Sequence, residues 1–204
     1  MSEPARAHEA LLAAAASGDV AGLDRAIAAG APLDAQDLQG RTALLIAVAY
    51  DRNEAAVRLL GAGADPNVQA KNHDSAWLLA GALGRTQMLA AMLDSGRVDY
   101  AKRNRFGGNA LIPACERGHV ETVRLLLERS KVPVDHINNL GWTALLESVF
   151  LGDGGPRHQE IVRLLLAHKA DVNLADREGV TPLAHANKRG YAEIAKILAA
   201  AGGK

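Results

Sequence analysis

The sequence predicts an all-α solenoid of six stacked helix-turn-helix units joined by β-hairpin or turn connections, and three observations carry that prediction. First, a small polar opening residue recurs at Thr42, Ser75, Asn109, Thr143 and Thr181, in steps of 33, 34, 34 and 38 residues. Second, a leucine-rich segment follows each opening, as in Val57 to Leu60, Met88 to Leu93, Val123 to Leu127, Ile161 to Leu166 and Ile194 to Leu198. Third, a loop carrying Asp or Asn closes each unit, as in Gly63-Ala64-Asp65-Pro66-Asn67 and Lys169-Ala170-Asp171-Val172-Asn173. A fixed period of this size means that one supersecondary unit is stacked several times.

Each element of the unit has a local cause. In Gly141-Trp142-Thr143-Ala144-Leu145 the glycine permits the positive φ of a turn tip, and the threonine hydroxyl can cap the helix that starts there. The first helix is rich in small residues, as in Ala43-Leu44-Leu45-Ile46-Ala47 and Ala110-Leu111-Ile112-Pro113-Ala114-Cys115, so neighbouring units can approach closely. One helix pair has too little apolar surface to fold alone, and stacking joins the faces into a continuous core. At the N-terminus, Ala10 to Ala16 looks like a signal-peptide core, but Glu3 and Glu9 precede it and Ser17-Gly18-Asp19-Val20 leads into a second amphipathic segment. Residues 8 to 29 therefore read as the first helix pair. The last helix carries Lys188, Arg189, Glu193 and Lys196 around Ile194 and Leu198, as a polar-faced terminal unit requires, and Gly202-Gly203-Lys204 is expected to fray.

With these motifs the chain resembles the ankyrin repeat, whose unit of about 33 residues is a β-turn followed by two helices. The resemblance implies one elongated domain over residues 1–204, with units at about 8–37, 38–70, 71–104, 105–138, 139–176 and 177–201. It departs from the family pattern twice. The usual Thr-Pro-Leu-His opening reads Thr42-Ala43-Leu44-Leu45, Asn109-Ala110-Leu111-Ile112 and Thr143-Ala144-Leu145-Leu146, so the histidine that normally bridges backbone groups of adjacent units is missing. The fifth unit also has surplus length, assigned to Gly152 through Gln159, between its two helices. Three glycines and a proline there suggest a projecting loop with Asp153, Arg157 and His158 available at its tip.

Function follows from what the fold offers and what the composition removes. Lys plus Arg and Asp plus Glu each total 23, so no bulk charge favours nucleic acid or an anionic membrane. The single cysteine, Cys115, rules out an internal disulfide framework and suits a reducing compartment. The resemblance implies a free-standing bacterial member of the family, a cytoplasmic monomer that binds another protein through turn tips and the concave face of the first helices. The matching positions are Leu38, Gln39, Arg41 and Tyr50; Lys71, Asn72, Asp74 and Leu83; Arg105, Phe106, Glu116 and Arg117; Asn139, Leu140, Trp142, Phe150 and Leu151; and Arg177, Glu178, Lys188 and Arg189. Four of the seven aromatic residues, Tyr50, Phe106, Trp142 and Phe150, fall among them, and large rings at exposed tips are frequent binding hot spots. The candidate contact set is Tyr50, Arg105, Phe106, Arg117, Leu140, Trp142, Phe150, Asp153, Arg157 and His158. A basic run, Arg97 with Lys102, Arg103 and Arg105, reads as solvated charge or as attraction for an acidic partner.

Enzymatic readings find little support. Cys115 and His119 share a helix face at a spacing of four, yet His119 falls at the turn between helices and Cys115 in a small-residue packing position. The seven histidines show no metal-ligand spacing, and no phosphate-binding glycine loop or nucleophile elbow is present. No catalytic residue, cofactor or metal is expected. Two further readings are a regulator or inhibitor that inserts the 152–159 loop into a partner enzyme, and a small-ligand or metal-binding scaffold.

Overall fold

A computed structural model describes residues 3–204, which form twelve α-helices and no strand among the described residues. The chain divides into two compact units, one ending at Arg105 and one running from Phe106 to Lys204. The first holds α1 (Glu3–Ser17), α2 (Val20–Ala28), α3 (Ala43–Ala49), α4 (Asn53–Ala62), α5 (Ala76–Leu83) and α6 (Thr86–Asp94). The second holds α7 (Leu111–Glu116), α8 (Val120–Arg129), α9 (Ala144–Phe150), α10 (Pro156–Ala167), α11 (Pro182–Arg189) and α12 (Ala192–Ala200). The expected helix pairs are thus present, three in each unit.

The repeated opening residues do what their chemistry suggests. Thr42, Ser75, Thr143 and Thr181 accept the backbone N–H three residues on at 3.2 to 3.3 Å, and Asn109 Oδ1 accepts from Leu111 and Ile112. Each bond satisfies an N–H that the first helical turn would leave unpaired, and losing such a cap typically costs about 1 kcal/mol. Within each unit the first helices pack on one another, α1 on α3 on α5 and α7 on α9 on α11, and the second helices do the same. Leu44, Leu45, Leu111, Leu145 and Leu146 are buried between the layers, each contributing about 1.5–3 kcal/mol by leaving water.

Other side chains take over the work of the missing opening histidine. In the first unit, Gln36 Nε2 donates to the Gln69 carbonyl and Gln69 Nε2 to the Arg103 carbonyl, at 3.0 and 2.8 Å. A second ladder runs through the closing loops. Asp34 Oδ1 accepts from Asp65 N–H, Asn67 Oδ1 from Asp99 N–H, Asp135 Oδ1 from Asp171 N–H and Asn173 Oδ1 from Lys204 N–H, at 2.7 to 3.0 Å. The last rung corrects the expectation of a frayed end. Lys204 is tied at both backbone groups, since its carbonyl accepts from Thr181 Oγ1 at 2.6 Å.

The basic run also has structural duties. Arg97 donates to the carbonyls of Leu60 and Gly63, closing the C-terminal end of α4, and Arg103 donates to those of Tyr100 and Lys102.

Candidate interaction surface

In the second unit the turn before α9 is organised by one side chain. Asn138 Oδ1 accepts from the N–H groups of Leu140 (2.9 Å) and Trp142 (3.0 Å), while Gly141, at φ 87°, reverses the chain. Asn138 Nδ2 then donates to Glu147 Oε1 at 2.7 Å, pinning the turn to the first turn of α9. The next repeat uses the same spacing with different chemistry. Asp176 Oδ1 accepts from Glu178 and Val180 N–H, and Asp176 Oδ2 meets His185 Nε2 at 2.6 Å. Two side chains nine residues apart therefore hold each tip at a fixed angle.

These turns display an apolar surface. Phe106 and Leu140 remain 49% and 50% exposed, and Ile137 and Leu151 are exposed as well. Trp142 and Phe150 are half-buried with ring centroids 4.7 Å apart, and Phe150 meets the His185 ring edge-on at 5.0 Å. The Arg189 guanidinium lies 4.7 Å from the Phe150 centroid and donates to the Tyr191 hydroxyl. Of the aromatic group anticipated at Phe106, Trp142 and Phe150, the structure brings Trp142 and Phe150 into ring contact. Of the remaining contact candidates, Tyr50 is exposed just after α3 in the first unit, and Arg105 and Arg117 are exposed.

The 152–159 segment corrects the projecting-loop expectation. Pro156 begins α10, which at 12 residues is two longer than α8, so about half of the surplus extends a helix. His158 is not at a tip: it is 4% exposed, with Nδ1 2.7 Å from Asp153 Oδ1 and Nε2 2.9 Å from the Glu116 carbonyl oxygen. The Tyr191 hydroxyl donates to the Gly152 carbonyl, and a Cβ on Gly154 would stand 2.5 Å from the Tyr191 ring. Glycines occur here because the chain lies flat against its neighbours, a condition that sequence composition does not separate from flexibility. Asp153 and Arg157 stay exposed, and the Gly155 N–H, followed by His158, holds the Asp153 carboxyl below its usual range.

Several central residues escaped sequence reading. Glu147 is 5% exposed, and burial, reinforced by the charge of Glu116, raises its carboxyl to about 7 against the Asn138 hydrogen bond. A signal for it exists: the same helix position is Ile46, Leu79 and Pro113 in the preceding repeats, so an acid there is out of pattern. His185, at the same position in the last repeat, could have been found in the same way. Cys115 is fully buried, and burial, followed by Glu147, pushes its thiol well up, the opposite of the shift that activates a nucleophile. Among the described residues no cluster of histidine, cysteine and carboxylate side chains could hold a metal, and no helix is long and apolar enough to cross a membrane.

Comparison with known proteins agrees with this architecture. Family models described as ankyrin repeats match residues 11–60, 75–176 and 154–204. The ankyrin repeat protein YahD of Escherichia coli (strain K12) is 39% identical over 191 residues, spanning 94% of each chain. The crystal structure of an ankyrin repeat domain from Acinetobacter baumannii AYE superposes with a TM-score of 0.91 at 48% identity, covering 95% of this chain and 98% of that one. The ankyrin repeat domain of Bcl-3, a member of the IkappaB protein family, gives a TM-score of 0.85 at 29% identity, covering 96% and 86%. Ankyrin repeats are in general protein–protein interaction modules, and on its repeat period, its stacked helix pairs and these matches the chain belongs to the ankyrin repeat family.

Proposed function

We propose that this protein is a non-enzymatic recognition module that binds a protein partner through the turn tips and first-helix residues of its second unit, with Phe106, Leu140, Trp142 and Phe150 as anchors. The observation that carries this reading is large apolar side chains left in solvent on turns that buried side chains hold rigid. Exposed Leu140 and Phe106 and half-buried Trp142 and Phe150, on a fixed backbone, lose little conformational freedom on binding, so most of the area they bury contributes to affinity. Arg117, Asp153 and Arg157 supply exposed charge in the same unit, and Arg105 and the Tyr50 ring are exposed on the first. The buried Cys115 thiol fits a reducing, cytoplasmic setting.

The test takes a partner identified by affinity capture and measures its binding to Phe106→Ala, Trp142→Ala and Phe150→Ala by titration calorimetry. Each change should weaken binding by more than about 1 kcal/mol while helical content stays constant. Unaltered affinity in all three variants would sink the proposal.

A further inference from the structure

We infer that the Trp142–Phe150 surface is built for an acidic peptide segment, one that sets a carboxylate on Arg189 and an apolar side chain against Trp142. This rests on the recognition reading above and adds the chemical class of the partner. Arg189 is held differently from the arginines that pair within the chain. Arg41, Arg58, Arg85 and Arg163 pair with carboxylates of the chain, and Arg97 and Arg177 donate to backbone carbonyls. Arg189 is exposed and pairs with no carboxylate among the described residues, although aromatic neighbours fix its position. Its guanidinium carbon lies 4.7 Å from the Phe150 centroid and 5.8 Å from that of Tyr191, and Nη1 donates to the Tyr191 hydroxyl at 3.3 Å.

The support under Arg189 is itself rigid. Tyr191 is anchored because its hydroxyl donates to the Gly152 carbonyl at 2.9 Å, and Phe150 is wedged between Trp142 and His185. Stacking occupies a face of the guanidinium and one Nη1 N–H goes to Tyr191, which leaves the Nε–Nη2 edge, and that edge matches the two oxygens of a carboxylate. A fork already immobilised on two rings loses little freedom when it closes on an anion. The half-buried Trp142 and exposed Leu151 lie in the same repeat, so an apolar side chain next to the acid has a surface to cover. His185 draws its partner from Asp176, which keeps that carboxylate engaged away from Arg189.

The experiment selects peptides from a randomised phage-displayed library on the full-length protein, then measures synthetic versions by fluorescence anisotropy. Peptides carrying Asp or Glu at a fixed distance from Leu, Phe or Trp should be enriched. Arg189→Gln should weaken them at least tenfold and Arg189→Lys by a smaller factor, while Lys188→Gln, which removes a neighbouring unstacked charge, should change binding less than threefold. Circular dichroism should show all variants equally helical. Enriched peptides that lack acids and ignore Arg189→Gln but lose affinity with Trp142→Ala would overturn the acidic specificity and leave the recognition surface standing. Equal losses in Lys188→Gln and Arg189→Gln would overturn the role of the stacked fork. Peptides indifferent to Trp142→Ala, or no enrichment at all, would overturn both readings.

Discussion

Among the described residues, the buried polar side chains of the unit ending at Arg105 are Thr42 and Ser75, both helix caps. The unit beginning at Phe106 buries Glu147, His158, His185 and Asn138, with Thr122 and Ser148, besides its caps. The tryptophans divide the same way. Trp77 is fully buried in the first unit, with Tyr100 edge-on at 5.8 Å, whereas Trp142 sits half in solvent on a turn of the second. The same helix position holds Ile46 and Leu79 in one unit and Glu147 and His185 in the other. Burying an ionisable group is costly without partners, so a fold that does so repeatedly is using those groups to fix something. Here they fix the turn that carries Leu140 and Trp142, the turn that opens α11, and the loop on which the Tyr191 hydroxyl rests. The first unit is a plain scaffold by comparison.

The largest test of this contrast is His158→Ala. It removes a buried ring, leaves the Glu116 carbonyl without its partner and frees the loop, and should cost about 2–4 kcal/mol in urea unfolding. The matched change in the first unit, Gln69→Ala, removes two more exposed hydrogen bonds and should cost about 1 kcal/mol or less. Equal costs would erase the distinction between the units. Deleting Gly152 through Pro156 should likewise destabilise, since the segment packs on His158 and Tyr191.

Glu147 gives the next effect, and its sign is opposite to that of a salt-bridged acid. Its folded pKa is raised from 4.5 to about 7, so the folded state holds this proton more tightly than the unfolded chain. Its ionisation therefore lowers stability as pH rises from about 4.5 through about 7, and the loss is complete above that range. Glu147→Gln should raise stability by about 2 kcal/mol at pH 8, change little at pH 4, and flatten the pH profile between; at about 1.4 kcal/mol per pKa unit, about 3.5 kcal/mol is the ceiling. Thermal unfolding across that range measures it. A variant less stable than the parent at pH 8 would mean that ionised Glu147 is well compensated.

The smallest effect lies in the first unit, where His73 adopts φ 65° at the turn position that is Gly40, Gly107, Gly141 and Gly179 in the other repeats. His73→Gly should relieve that conformation and raise stability by about 0.5–1 kcal/mol, read from the unfolding midpoint. A loss instead would show that the imidazole contributes more than its backbone costs.

The repeat period and the turn chemistry were enough to place the helix pairs and the capping residues, because both depend on neighbours within one unit. The aromatic pair at Trp142 and Phe150 was legible for the same reason, lying at two recurring positions. His158 was misplaced because the Glu116 carbonyl that holds its Nε2 belongs to the preceding repeat and leaves no mark in local composition. Arg189 was marked as a surface charge, but its stacking depends on Phe150, a repeat away, and on Tyr191. Glu147 was passed over although its repeat position was out of pattern, since an acid on a helix reads as exposed until its neighbours are known.

The carboxylate and carboxamide rungs along the closing loops carry a genealogical consequence. Each rung joins a loop only to the loop one repeat away, so an entire repeat could be duplicated or lost and the rungs would re-form. An odd insertion inside a loop would strand one of them. The corner between the paired helices lies off these rungs, and the surplus of the fifth repeat lies there, held by its own contacts to the Glu116 carbonyl and the Tyr191 hydroxyl. Descendants of such a chain are expected to differ by whole repeats along the stack, and by shorter insertions at those corners where new contacts can hold them.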